Sequence, residues 1–237
     1  MHIPNGFVDP KISTGLAFAA AGALAYCLNK VKQAVTAPAL QQALAGAGEK
    51  VTTITSKARK VLTQNGRQTI EKIGLMAGLI FAAQMFNFPI ASGTSGHLIG
   101  GALAVIVLGP AAGTLAVALV VIIQSLFFAD GGILILGGNI VNMAVIGGLL
   151  TYYIYVWLKK LTKSFVVSAA LAAWCSVMLA ATATSVEIGL SGTFALSAVL
   201  PAMLKTHAVI GVAEGFITVA LLGILRNVKF YNNEEKI

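Results

Sequence analysis

The chain has 237 residues, of which 57% are hydrophobic and 10% charged, and its mean hydropathy is +0.87. Too few polar side chains remain to cover a soluble surface, which excludes soluble enzymes and soluble binding modules and implies an integral membrane protein. A net charge of +8 would suggest nucleic acid in a soluble domain, but here the basic residues fall between apolar runs, where membrane topology explains them without a nucleic-acid partner.

The chain opens Met1-His2-Ile3-Pro4-Asn5-Gly6. A terminal Met-His offers a metal three nitrogens that converge on one point: the α-amine, the amide nitrogen of His2 and its Nδ1. The amine titrates near ~8 and imidazole near ~6.5, so both can shed protons to a borderline metal at neutral pH, and Ni²⁺ or Cu²⁺ best promotes loss of the amide proton. Pro4 stiffens the exit by fixing its own φ and extending Ile3. No cleavable leader precedes the first apolar run, so Met1 is the expected mature start.

Seven apolar runs follow, near the roughly 20 residues that a bilayer requires. They lie at Ile12 to Leu28, Ile73 to Phe88, Leu98 to Leu108, Ala111 to Phe128, Ile140 to Leu158, Val166 to Ala183 and His207 to Leu225. The third is short, ends at Gly109-Pro110 and is a candidate for incomplete spanning. The expected fold is all-α, one integral membrane domain over 1–237, since no alternating ten-residue barrel pattern appears. With the N-terminus outside, fourteen of the sixteen Lys and Arg residues share one side and only Lys11 and Lys205 the other. The positive-inside rule then places the C-terminus in the cytoplasm.

The connection at 31–72 is long. Its apolar residues Leu40, Leu44, Ala47, Val51, Ile54, Ala58 and Val61 step by threes and fours beside Lys50, Lys57, Arg59 and Lys60. That reads either as a basic amphipathic helix for anionic lipid or a cytoplasmic partner, stopping at Asn65-Gly66, or as a solvated linker. Cys27 and Cys175 sit inside apolar runs and read as small buried hydrophobes.

The second informative stretch is Phe88-Pro-Ile-Ala-Ser-Gly-Thr-Ser-Gly-His-Leu-Ile-Gly-Gly101, which opens on the same face as Met1. The imidazole of His97 would add a fourth nitrogen to the Met1-His2 chelate, and the glycines let backbone pass close to it. Ser95 in the same loop is a candidate supporting residue. Asp130, Asn139 and Asn142 are candidates for bonding the ligand shell or holding the terminal segment down, with helix capping as the competing role. His207 and Glu214, seven residues apart on one helical face, suggest a supporting hydrogen-bond network rather than direct ligands. Gly74, Gly78 and Ala82, like Ala17, Ala21 and Ala25, form small-residue rows that allow close helix contact.

The sequence resembles the CbiM/NikM family. The likeness rests on Met-His-Ile-Pro-x-Gly-Phe at 1, Gly-Thr-Ser-Gly-His-Leu-Ile-Gly-Gly-Ala-Leu-Ala at 93–104 and Leu-Gly-Pro at 108–110. It continues with Gln-Ser-Leu-Phe-Phe-Ala-Asp-Gly-Gly at 124–132, Gly-Asn-Ile-Val-Asn-Met at 138–143, Leu-Pro-Ala-Met-Leu at 200–204 and Glu-Gly-Phe-Ile-Thr at 214–218. It implies a seven-helix substrate-specific (S) subunit of an energy-coupling factor transporter for Ni²⁺ or Co²⁺ in a prokaryotic cell membrane. The resemblance also implies that the metal is held by the terminal amine, the His2 amide and imidazole, and the imidazole of His97. The implied partners are a transmembrane coupling (T) subunit, cytoplasmic ATP-binding (A) subunits and a small accessory membrane subunit, with no organic cofactor. Asn5 departs from the acidic residue frequent at that position, and the 31–72 connection is longer than the family's.

No Gly-x-x-x-x-Gly-Lys-Ser/Thr occurs, so ATP hydrolysis is expected on other chains and this chain is read as a transport subunit, not an enzyme. Gly93-Thr94-Ser95-Gly96 with His207 as base would suit a rhomboid-type intramembrane serine protease. A passive channel, or a vitamin-binding subunit of the same transporter class, are further rivals. Nickel is slightly preferred over cobalt, because four nitrogens in a square suit Ni²⁺.

Overall fold

A computed structural model describes residues 1–38, 60–85, 88–90 and 94–227. Among these the architecture is a helical bundle: α1 (Pro10–Val35), α2 (Gln64–Gln84), α3 (Gly101–Leu108), α4 (Pro110–Phe127), α5 (Leu136–Thr162), α6 (Phe165–Leu190) and α7 (Leu196–Asn227). Two antiparallel ladders of three residues per strand interrupt it, β1 (Thr36–Pro38) with β2 (Lys60–Leu62) and β3 (Phe88–Ile90) with β4 (Thr94–Gly96).

Local chemistry sets most of the boundaries. Asp9 accepts from Lys11 N–H at 2.8 Å and precedes Pro10 at the first helical position, starting α1. Thr63 accepts from Gly66 N–H at 2.9 Å and starts α2, so Asn65-Gly66, expected as a stop, lies in a first turn. Ser164 caps α6 through Val167 N–H. α7 begins at Leu196, eleven residues before the expected start, and carries Pro201 inside it. Helices tolerate proline in membranes where neighbouring groups take up the freed carbonyl.

Five helices, α1, α4, α5, α6 and α7, are long and apolar enough to cross a bilayer. α3 spans eight residues, about 12 Å, and cannot cross alone. Residues 101–107 are all buried, and Gly101 and Gly113 bring the backbones of α5 and α4 against α3, where a Cβ would strike Gly147 and Ala104. The third apolar run is therefore enclosed by neighbouring helices, and its helical part is shorter than a bilayer span, as expected from the sequence. Leu98 stands outside its helix. The core is rich in alanine, which permits this close approach. The middle of α5, Val141–Leu150, winds as a π-helix, with Thr151 Oγ1 donating to Ile146 O at 2.9 Å and Ser176 Oγ to Gly147 O at 2.8 Å.

The helices alternate so that residues 1–9, 128–135 and 191–195 gather at one end, tied by Gly132 N–H to Ile3 O, Asp9 N–H to Ser191 Oγ and Thr193 Oγ1 to Phe7 O. Lys30, Arg67 and Lys159 belong to the other end, in keeping with the expected segregation of charge. The connection between the first two long helices is shorter than 31–72, because α1 runs to Val35 and α2 starts at Gln64. Val61 lies in β2, and the rest of the expected amphipathic stripe lies outside the described residues. Gly74 and Gly78 face open space, so these two glycines make no close contact among the described residues.

Candidate functional site

The first three residues are the most deeply set part of the N-terminal segment. Met1 and Ile3 have no exposed surface and His2 has 3%. Asn139, near the start of α5, holds Ile3 by both main-chain groups: its Oδ1 accepts from Ile3 N–H at 2.8 Å and its Nδ2 donates to Ile3 O at 3.2 Å. Gly132 N–H adds a third bond at 2.8 Å, and Leu134 N–H donates to Asn5 Oδ1 at 2.9 Å. Gly131, at φ +91°, lines the slot. A Cβ there would lie 2.9 Å from Asn139 Nδ2 and 3.2 Å from His2 Cδ2.

The rings of His2 and His97 stack with centroids 4.7 Å apart and planes 29° apart. His97 Nδ1 lies 2.7 Å from Leu98 O, to which it can only donate, so its Nε2 keeps the lone pair. That Nε2 is buried with no hydrogen-bond partner among the described residues, and neither ring nitrogen of His2 is in line for one. Asp130 Oδ1 lies 3.0 Å from His2 Nδ1, an ion pair only when the ring is protonated.

Burial pushes the Met1 amine from about 8 down to about 5, against the pull of Asp130. Burial likewise lowers His2, with Asp130 opposing, and holds His97 well below the ordinary imidazole value, helped by repulsion from the amine and His2. The contact with His2 draws the Asp130 carboxyl below its ordinary value. At neutral pH the amine and both imidazoles are thus neutral bases. Among the described residues no group of three or more His, Cys, Asp or Glu side chains is arranged to hold a metal ion. Any such site here must draw on main-chain nitrogen.

His97 sits on a non-helical segment, residues 97–100, ahead of α3. Glu214 of α7 accepts from Ile99 N–H at 2.9 Å and Gly100 N–H at 2.6 Å, and Gln84 of α2 donates to Ile99 O at 2.7 Å. Glu214 thus reaches the candidate site through its loop. His207 bonds Met203 O through Nδ1 at 2.8 Å and leaves a buried Nε2 without a partner among the described residues. Asn142 is turned away from the N-terminal segment, donating to Glu187 Oε2 at 2.8 Å and Thr184 Oγ1 at 3.2 Å. Ser95 enters β4 opposite Pro89 by its backbone; its side chain, like Gly93, lies outside the described residues. Sequence reasoning missed Gln84 and Glu187. A polar side chain within an otherwise apolar helix was the available signal for both.

Residues 39–230 match CbiM, the cobalt uptake substrate-specific transmembrane region. The chain belongs to this family. It is 37% identical over 227 residues to the putative fused nickel transport protein NikMN of Archaeoglobus fulgidus, across 95% of this chain and 65% of that relative, so it spans just under two thirds of the longer protein. It is 36% identical over 220 residues to a putative metal transport protein of Haloquadratum walsbyi, across 92% and 86% of the two chains. A crystal structure described as a truncated transition metal transporter superposes with a TM-score of 0.78 at 28% identity, across 96% of this CbiM-family chain and 99% of that one. Such relatives place the chain with metal transport proteins rather than with intramembrane proteases.

Proposed function

We propose that this chain is the metal-binding S subunit of an ATP-driven importer for nickel or cobalt, with nickel preferred. The observation that carries the reading is the buried meeting of a neutral α-amine, the His2 ring and a His97 Nε2 that keeps an unused lone pair. The metal is the cargo. Its ligands are the Met1 amine, the His2 amide nitrogen, His2 Nδ1 and His97 Nε2, a four-nitrogen field that suits Ni²⁺; Co²⁺ requires added ligands. Nδ1 leaves Asp130 to reach the metal. A divalent ion, one deprotonated amide and the Asp130 carboxylate sum to zero, which suits a site shielded from water.

The end bearing Met1 faces outward and the basic end faces the cytoplasm, following the positive-inside rule. Capture and docking of residues 1–9 are then one event, with binding energy ordering the terminus. Release requires work from partners: a transmembrane coupling subunit and cytoplasmic ATP-binding subunits, joined by a small accessory membrane subunit. The fused architecture named for the Archaeoglobus relative supports a multi-component assembly. Lipid at the basic end completes the setting of a prokaryotic cell membrane.

The reading needs a free amine at Met1. One residue added ahead of Met1, or acetylation of its amine, removes the first ligand while sparing the fold. Calorimetric titration with NiCl₂ or CoCl₂ and the visible absorption spectrum are expected to show loss of tight binding. Unchanged affinity and spectrum overturn the proposal.

A further inference from the structure

We infer that Glu214 is the positioning residue for His97, acting through the main chain of residues 99 and 100. The inference rests on the reading of His97 as a ligand and asks what holds it at a fixed height and angle. Residues 97–100 are irregular backbone enclosed by helices, and Gly96, His97 and Ile99 are buried. Such backbone needs a partner for every N–H and C=O. Glu214, 2% exposed, supplies two of them, one per carboxylate oxygen, and Gln84 supplies a third. Ile99 is therefore fixed at its N–H from α7 and at its C=O from α2, as it would be between two strands of a sheet.

The same carboxylate closes the head of α3. Gly100 is the residue before that helix and offers no side chain to cap it. Glu214 accepts from the N–H of this residue and of the one before it, rather than from the first-turn N–H groups that a Ser or Asp cap takes, and sets negative charge near the positive end of the helix. Gly100 itself has φ +73°, and a Cβ there would lie 2.7 Å from Ile80 Cγ1, so the chain has one path into the turn. The fixed peptide then reaches the imidazole in one step: Leu98 O, next to Ile99, accepts from His97 Nδ1, which assigns the tautomer and leaves Nε2 unprotonated on a ring stacked with that of His2.

A carboxylate is required because both oxygens accept. Glutamine would offer one acceptor and turn its NH₂ toward a buried N–H, leaving a donor unsatisfied and the turn tilted. The second carboxylate of the interior, Glu187, accepts from Asn142 and makes no bond to residues 97–100, so it serves as the control.

The test uses the full chain with its native start, in detergent or nanodiscs, with NiCl₂ as probe. Glu214→Gln is expected to weaken nickel binding by about 10- to 100-fold, the range for losing a support of a ligand, and to move the visible absorption band at saturating nickel. Glu187→Gln is expected to lower the thermal transition while leaving that band in place. Should Glu214→Gln fail to fold, Gln84→Leu removes the other tie to Ile99 and is expected to move the band in the same way. Wild-type affinity with an unmoved band in Glu214→Gln overturns the inference, as does weaker binding with an unmoved band, since that reports stability alone. Wild-type protein that binds no nickel overturns the reading of His97 first, and this inference with it.

Discussion

The two halves of the candidate site are built on opposite plans. His97 stands on a turn locked from two sides by side chains of transmembrane helices, and its ring is fixed by its own neighbour. Met1 and His2 are held by Asn139 at the start of α5 and by loops at one end of the bundle, chiefly Gly132 and the contacts of Phe7 and Asp9, while Asn5 and Gly6 are exposed. One half is a rigid post and the other a hinged strap. A transporter must release what it binds, and a strap secured by a few hydrogen bonds is the cheaper half to open.

Removing the post is expected to have the largest effect. His97→Ala deletes one of four proposed ligands. Shared evenly, the roughly 10–16 kcal/mol typical of a structural four-ligand site gives each ligand about 3 kcal/mol, so nickel affinity should fall by about 100-fold or more. Calorimetric titration reads this directly, and retention of more than a tenth of wild-type affinity shows that the post is elsewhere.

Acid should loosen the strap. The docked amine has its pKa near 5 against an ordinary 8, so between those values the undocked terminus carries a proton that the docked one lacks. Docking therefore strengthens as pH rises from 5 to 8, by as much as three units, on the order of 4 kcal/mol. The lowered imidazoles of His2 and His97 act in the same direction below their ordinary value of 6.5. Asp130 works oppositely, its contribution being lost as pH falls through its lowered pKa, which lies beneath this window. Hydrogen exchange at residues 1–9 of metal-free protein should show protection growing from pH 5 to pH 8; flat protection contradicts a buried amine.

Asn139→Ala strips two of the three main-chain bonds of Ile3 and leaves its buried N–H to find another partner, while Ile3 O keeps Gly132 N–H, at a cost of about 2–3 kcal/mol to docking. Because capture and docking are coupled, nickel affinity should drop by about 30- to 100-fold while the visible band of the saturated site stays put. A moved band would make Asn139 part of the post.

How much of this the sequence disclosed follows the same division. Met1, His2 and His97 were candidates from sequence because a terminal Met-His offers a chelating pattern and His97 sits among glycines, and the structure buries all three and brings the two rings together. The helices were legible from apolar runs, but their ends were not. α3 starts at Gly101 because Glu214 and Gln84 claim the backbone before it, a contact 115 residues away in the chain. Asn139 and Asn142 looked alike from sequence. One faces the terminal segment and the other Glu187, a difference fixed by the winding of α5 that no periodicity rule supplies.

The smallest effect is expected at the strap's exposed edge. Asn5→Asp exchanges the side-chain amide for a carboxylate, and either side chain presents an oxygen to Leu134 N–H, so the bond survives. Asn5 is exposed, and the added charge meets water rather than a low-dielectric interior, so equilibrium affinity should change by less than about threefold. What the carboxylate can alter is approach: a negative group beside the entry raises the local concentration of a divalent cation and speeds association at low salt. Stopped-flow nickel binding should show faster association at about 10 mM salt and no difference near 1 M, where the Debye length is about 3 Å. A loss of affinity beyond tenfold would mean that residue 5 bears on the chelate itself, and that the strap is gripped closer to its exposed edge than Asn139 and Gly132 imply.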